Sequence, residues 1–139
     1  MLRIAILILI AVSQTPIVAS AACYGADTSV TSVVVQYVTH THYTNVYHIE
    51  ATISNVGGQS QSPDVLQFID VSQYGIRLDA SGIPPLAVGA QHKFSYIFVR
   101  SRDAGPNTTT LNFSVRFVRP NPPGFQDCNR HNDHADVTF

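Results

Sequence analysis

Apolar and polar residues alternate with a period of two along most of the chain, and no convincing helical period competes with it. The clearest stretch is Tyr47 to Asn55. Tyr47, Ile49, Ala51 and Ile53 face one way and His48, Glu50, Thr52 and Ser54 the other, as in a half-buried antiparallel strand. Asn55-Val56-Gly57-Gly58 ends it with turn residues. Val30 to Val38 is a β-branched run with the composition of a strand, Val65 to Val71 a third strand, and Tyr74 to Leu78 a short fourth. Ser81-Gly82-Ile83-Pro84-Pro85-Leu86 reads as a connection, because consecutive prolines cannot donate ladder hydrogen bonds. Lys93 to Arg100 sets Phe94, Tyr96 and Phe98 on one face. Leu111 to Val118 turns Leu111, Phe113, Val115 and Phe117 inward and Asn112, Ser114 and Arg116 outward, and Ala135 to Phe139 is a short last strand. Strands of this length and spacing predict an all-β protein, an immunoglobulin-like two-sheet sandwich of about seven strands. In such sandwiches part of the first strand lies beside, and parallel to, the last, so their starting ends are expected to be neighbours.

The N-terminus changes where this domain is expected to work. Met1-Leu2-Arg3, the apolar run Ile4 to Val12 and the small residues Ala19-Ser20-Ala21 form the pattern of a secretory signal peptide over 1–21. The remaining 22–139 suits a single secreted, extracellular domain. The apolar run is shorter than the roughly 20 residues a spanning helix needs, and no later segment comes closer, so no membrane span is expected. Cys23 and Cys128 nearly bracket the domain, and in an oxidising compartment they read as one disulfide, which closing so long a loop could stabilise by about 4 kcal/mol. The rival reading, a lipidated Cys23 in Ser20-Ala21-Ala22-Cys23, would strand Cys128. Charge excludes one class of partner. Without Arg3 the domain is mildly acidic, Lys93 is its one lysine and the arginines stand singly, which argues against nucleic acid.

Three features recur in a fixed order: the strand ending Ile53-Ser54-Asn55-Val56-Gly57, the turn Leu86-Ala87-Val88-Gly89 before an aromatic strand, and the closing Asp127-Cys128-Asn129-Arg130-His131-Asn132-Asp133. In this the chain resembles the CARDB domain, a cell-adhesion-related, immunoglobulin-like module of surface proteins. The resemblance implies the fold, an extracellular setting and a binding or adhesion role. It names no ligand.

Candidate chemistry is concentrated near the C-terminus. Asp127, Asn129, Asn132, Asp133 and Asp136 pack carboxylates and amide oxygens into ten residues, a donor set suited to calcium. The competing reading is that these side chains brace a turn by bonding local backbone N–H groups. His40 and His42, with His48 beyond a turn, form a weaker metal pattern, and His131 and His134 a fainter one. Asn107-Thr108-Thr109 and Asn112-Phe113-Ser114 are glycosylation sequons, relevant only for a eukaryotic source. Tyr37, Tyr43 and Tyr74 near strand ends, and Phe125 in a proline-stiffened loop, are candidate contacts, because tyrosine offers large, stiff, amphipathic area. No phosphate loop, nucleophile elbow or paired catalytic carboxylate is visible in the spacing, so no enzymatic activity and no cofactor is expected, calcium being the one candidate ion. The expected function is recognition of an extracellular protein or glycan. The alternatives are a structural subunit of an extracellular coat or matrix, assembling through exposed sheet edges, and a calcium-dependent secreted protein.

Overall fold

The inward sets read from the alternation are what the sheets bury. The computed structural model describes residues 24–104, 108–118 and 127–139. Seven strands form there: β1 (Thr28–His40), β2 (Thr44–Asn55), β3 (Gln67–Gln73), β4 (Ile76–Ile83), β5 (Gln91–Ser101), β6 (Thr110–Phe117) and β7 (His134–Thr138). A 3-10 turn, Arg130–Asn132, precedes the last strand. They build two antiparallel sheets in the orders β1-β2-β5 and β4-β3-β6-β7, an all-β sandwich. Ile49, Ala51 and Ile53 of β2 meet Ile69 and Val71 of β3 and Leu111, Phe113 and Val115 of β6 in one buried core. Phe94 and Tyr96 set their rings 6.5 and 6.2 Å from Phe113, in edge-on pairs that aromatic quadrupoles favour. The signal-peptide reading of 1–21 lies outside the described residues.

The valine run of β1 shows how a sandwich solves an ambiguous pattern. Strict alternation would send Val30, Ser32 and Val34 inward. Instead the register with β2 shifts between Val30 and Ser32 and again between Val35 and Tyr37. These bulges put Val30, Val33 and Val35 opposite Ile53, Ala51 and Ile49, and leave Val34 and Tyr37 on the outer face.

Two expectations need correction. The fourth strand is β4, Ile76–Ile83: Tyr74 belongs to the turn, and Ser81-Gly82-Ile83 belong to the strand. Pairing with β3 runs on to Gln67–Ile83, because the prolines that cannot donate start only at Pro84. Nor do the first and last strands pair. β1 bonds to β2 in one sheet and β7 to β6 in the other, so their starts meet across the sandwich rather than along a ladder. That meeting is nonetheless direct, since the Ser29 hydroxyl donates to the Asn132 carbonyl at 3.1 Å.

The β3–β4 turn is a two-residue hairpin with Tyr74 at φ 52° and Gly75 at φ 77°. Such turns favour Asn-Gly, because a β-carbon at positive φ strains the backbone of most residues. Tyr74 is 85% exposed, so little packing holds its ring. Tyr74→Asn is expected to raise stability by about 1 kcal/mol, or several degrees in melting temperature. An unchanged or lower melting temperature would count against strain at this turn.

Candidate metal centre

Asn55, the last residue of β2, organises the end of the sandwich where β1 begins. Its buried side chain fills four hydrogen bonds. Oδ1 accepts from the amides of Asp27 and Gly57, each at 3.1 Å, and Nδ2 donates to the carbonyls of Gln59 at 2.8 Å and Leu86 at 3.1 Å. Beside it, Gln67, 2% exposed, exchanges hydrogen bonds with Gln61 and joins Thr28 at 3.3 Å. Polar groups this deep persist because each has a partner. Asn55→Ala is expected to cost about 3 kcal/mol in urea unfolding, since it strands two amides and two carbonyls at once; a loss under about 1 kcal/mol would refute the bracing role.

The backbone so fixed carries Asp27 to the mouth of the sandwich, directly before β1. The closing segment brings Asp127 and Asp133 to the same place from the far end of the chain. One carboxylate oxygen from each of Asp27, Asp127 and Asp133 lies within 4.8 Å of the other two. Among the described residues this is the one such grouping of histidine, cysteine and acidic side chains. Asp27 is 5% exposed. Asp27 Oδ1, both oxygens of Asp127, Asp133 Oδ1 and the amide oxygen of Asn132 are all buried with no hydrogen-bond partner. Elsewhere at this end the polar groups are matched. Asn132 Nδ2 donates to Asp27 Oδ2 at 3.3 Å, and the Val115 amide donates to the Asp133 carbonyl at 2.7 Å. Carboxylates gathered out of water repel one another, and a proton or a cation must balance them. Burial, then the neighbouring Asp127 carboxyl and the charge of Asp27, push Asp133 up to about 8 against the opposing pull of Arg130. Burial likewise raises Asp27, with the Asn132 hydrogen bond opposing it and the Asp127 charge adding to it.

Of the residues expected to bind a metal, Asp127, Asn132 and Asp133 are brought together and Asn129 and Asp136 are not. Asn129 caps the 3-10 turn, its Oδ1 accepting from the His131 amide at 3.3 Å. Asp136 faces outward on β7 and accepts from Asn112 Nδ2 at 2.8 Å. That bond also engages the atom a glycan on Asn112 would join; Asn107 lies outside the described residues. Asp27 is the member of the cluster that the closing segment alone could not reveal. The signal for it was the expected nearness of the first and last strand starts, which puts any acidic residue just before β1 beside the closing segment. The histidines go elsewhere: His40 Nδ1 bonds Asn45 Oδ1 at 2.9 Å, and His48 stacks on Tyr37 at 4.1 Å.

The proposed contact residues separate. Tyr37 is exposed on the outer face of the β1-β2-β5 sheet, over a hollow shared with His48, Glu50 and Ile97. Tyr43 and Tyr74 sit at strand turns on the end opposite the carboxylates, where Tyr74 and Val99 to Ser101 line a second hollow. Phe125 lies outside the described residues. So does Cys23, but the Gly25 amide donates to Cys128 Sγ at 3.3 Å, which brings the segment beyond Cys23 against Cys128. No helix among the described residues is long and apolar enough to cross a membrane.

The sequence matches no family model and no curated protein. Its fold has solved counterparts. A CARDB domain from Pyrococcus furiosus, solved in complex with di-metal ions, is similar with a TM-score of 0.57 at 11% identity, over 91% of this chain and 97% of that one. A domain of a Methanosarcina acetivorans cell surface protein gives 0.54 at 18% identity, over 82% of this chain and 90% of that one. At these identities the likeness is one of architecture, and the chain has the CARDB-type fold.

Proposed function

We propose that this chain is a secreted binding or adhesion module that recognises an extracellular protein or glycan, and that it carries a divalent cation between Asp27, Asp127 and Asp133. The observation that carries the cation reading is the grouping of Asp27, Asp127 and Asp133 where the entry to β1 meets the closing segment, with buried oxygens of all three and of Asn132 lacking a partner. All are hard oxygen donors, which select alkaline-earth ions over zinc or copper. The Pyrococcus furiosus domain of the same fold, solved with di-metal ions, is a precedent for metal on this architecture. The recognition half of the reading draws support from the cell surface protein domain of like fold and from exposed tyrosines, Tyr37 on a sheet face and Tyr43 and Tyr74 at the end opposite the carboxylates. Nothing in this reading requires catalysis.

Calorimetric titration of chelator-treated protein with calcium, magnesium and manganese tests the cation reading. Saturable binding that Asp27→Asn abolishes is expected, and no binding of any of the three would overturn it. Binding to an array of glycans and matrix proteins tests the recognition reading.

One observation favours the structural-subunit alternative. β1 is 13 residues long without a charge or a proline, and among the described residues only one of its edges is paired. Its two bulges, where β1 carries an extra residue against β2, twist the strand, a device by which edge strands avoid unwanted pairing, so the binding-module reading is preferred.

A further inference from the structure

The three carboxylates are fixed by different parts of the chain. Asp27 is held by its amide, which donates to Asn55 Oδ1 at 3.1 Å, and by its carbonyl, which accepts from the Val56 amide at 2.8 Å. Asp133 is held by the Val115 amide, which donates to its carbonyl at 2.7 Å. The Ser29 hydroxyl donates to the carbonyl of the adjoining Asn132 at 3.1 Å. Those ties run to the sheets. Asp127 is tied through its neighbour. Cys128 is disulfide-bonded, and its Sγ also accepts from the Gly25 amide at 3.3 Å. The sequence holds one other cysteine, Cys23, shortly before Gly25 and Asp27. The crosslink therefore joins the two segments that carry the carboxylates. It does so directly beside Asp127, which among the described residues is the one acid with both carboxylate oxygens buried and unpartnered.

We infer that this crosslink assembles the cation site: Cys128 is a positioning residue that keeps Asp127 against Asp27 and Asp133, so the site binds its cation tightly only in the oxidised protein. This rests on the cation reading above and adds a redox condition to it. Carboxylates gathered out of water repel one another, so without a constraint the cluster relaxes by moving Asp127 toward solvent. A disulfide keeps its two Cα atoms within about 7 Å and removes that escape. Ligands held in place before the ion arrives bind it more tightly, because no ordering cost falls on the binding step. Such coupling is reciprocal. Whatever factor the bridge adds to cation affinity, the cation adds to the bridge's resistance to reduction. Reduction by glutathione consumes two of its thiols, opens the S–S bond to two cysteine thiols and releases glutathione disulfide. In this two-electron couple a tenfold factor equals about 30 mV. A chain still reduced before export holds its cation weakly, and oxidation in an oxidising compartment completes the site.

Redox titration of the full secreted protein in glutathione buffers, with chelator and with saturating calcium, magnesium or manganese, tests this. For each ion that binds the oxidised protein in calorimetry, the reduced protein is expected to bind at least about tenfold more weakly. The redox midpoint should then lie at least about 30 mV more negative with that ion than with chelator. Asp27→Asn, which leaves both cysteines in place, should abolish the shift, and a shift that survives it would overturn the inference. Equal affinity in the oxidised and reduced forms would overturn it too, while leaving the cation reading standing. Hydrogen exchange in β2 and β5 reports whether the reduced protein keeps its sandwich. If their slow exchange is lost on reduction, the bridge holds the whole fold rather than the site, and the inference falls. No binding of any of the three ions to the oxidised protein would remove both the inference and the cation reading.

Discussion

Gly57→Ala is expected to lower stability by about 4 kcal/mol, although it adds a single methyl group at a turn. A β-carbon there would lie 2.1 Å from the Gly25 carbonyl oxygen, 2.6 Å from the Asp27 amide nitrogen and 2.9 Å from the Ala26 carbonyl carbon. All three are backbone atoms, so no side chain can rotate aside. The segment leading into β1 must move as a unit. That movement breaks the bonds clamping it, Val56 N–H to the Asp27 carbonyl at 2.8 Å, Gly58 N–H to the Gly25 carbonyl at 3.0 Å, and the Asp27 amide to Asn55 at 3.1 Å. Each lost bond leaves a poorly solvated donor or acceptor, worth about 1 kcal/mol or more. The displacement also carries Asp27 away from Asp127 and Asp133, so cation affinity should fall with stability. Urea unfolding with and without calcium reads both effects. A stability loss under about 1 kcal/mol would mean that the close approach of the two segments is not structural.

Why a turn glycine matters so much bears on what could be read from the chain beforehand. Asn55-Val56-Gly57 was legible as a turn because Asn and Gly favour turns. That the Asn side chain brackets the entry to β1 across 28 residues was not, since no local pattern encodes which distant backbone an amide will meet. The same division runs through the fold. Core positions of β2, β5 and β6 followed the alternation, because burying one face of a strand imposes a period of two. The valine run of β1 did not, because bulges reset the phase where side-chain types could not. Gln67 on the inner face of β3 departs from the apolar pattern because Gln61, Thr28 and the Pro84 carbonyl satisfy it. For the site, the acidic closing segment was visible as composition. Its selection down to Asp127, Asn132 and Asp133, and the addition of Asp27, came from tertiary structure.

The carboxylate cluster gives the fold a measurable pH dependence. In chelated protein, burial and the Asp127 and Asp27 charges hold Asp133 at about 8, well above its unfolded value of 3.8. A raised value means the folded state keeps a proton the unfolded state has released. Stability from this group is therefore full below about pH 4 and is lost as pH climbs toward about 8, with Asp27 shifted the same way. Calcium must displace that proton to bind, so its affinity rises over the same interval. The chelated protein is thus expected to melt lower at about pH 8 than at about pH 5, other titrating groups being equal, while calcium should do little at about pH 5. At about pH 8, with calcium a thousandfold above its Kd, mass action adds about 4 kcal/mol, or about 15 °C in melting temperature. Asp133→Asn separates this from a general acid effect. It removes the charge that needs balancing, so the chelated variant should be the more stable form at about pH 8, yet it should lose most of its response to calcium. If the variant still gains the full shift, or if the wild-type calcium shift is equal at both pH values, the protonated cluster is not where calcium acts.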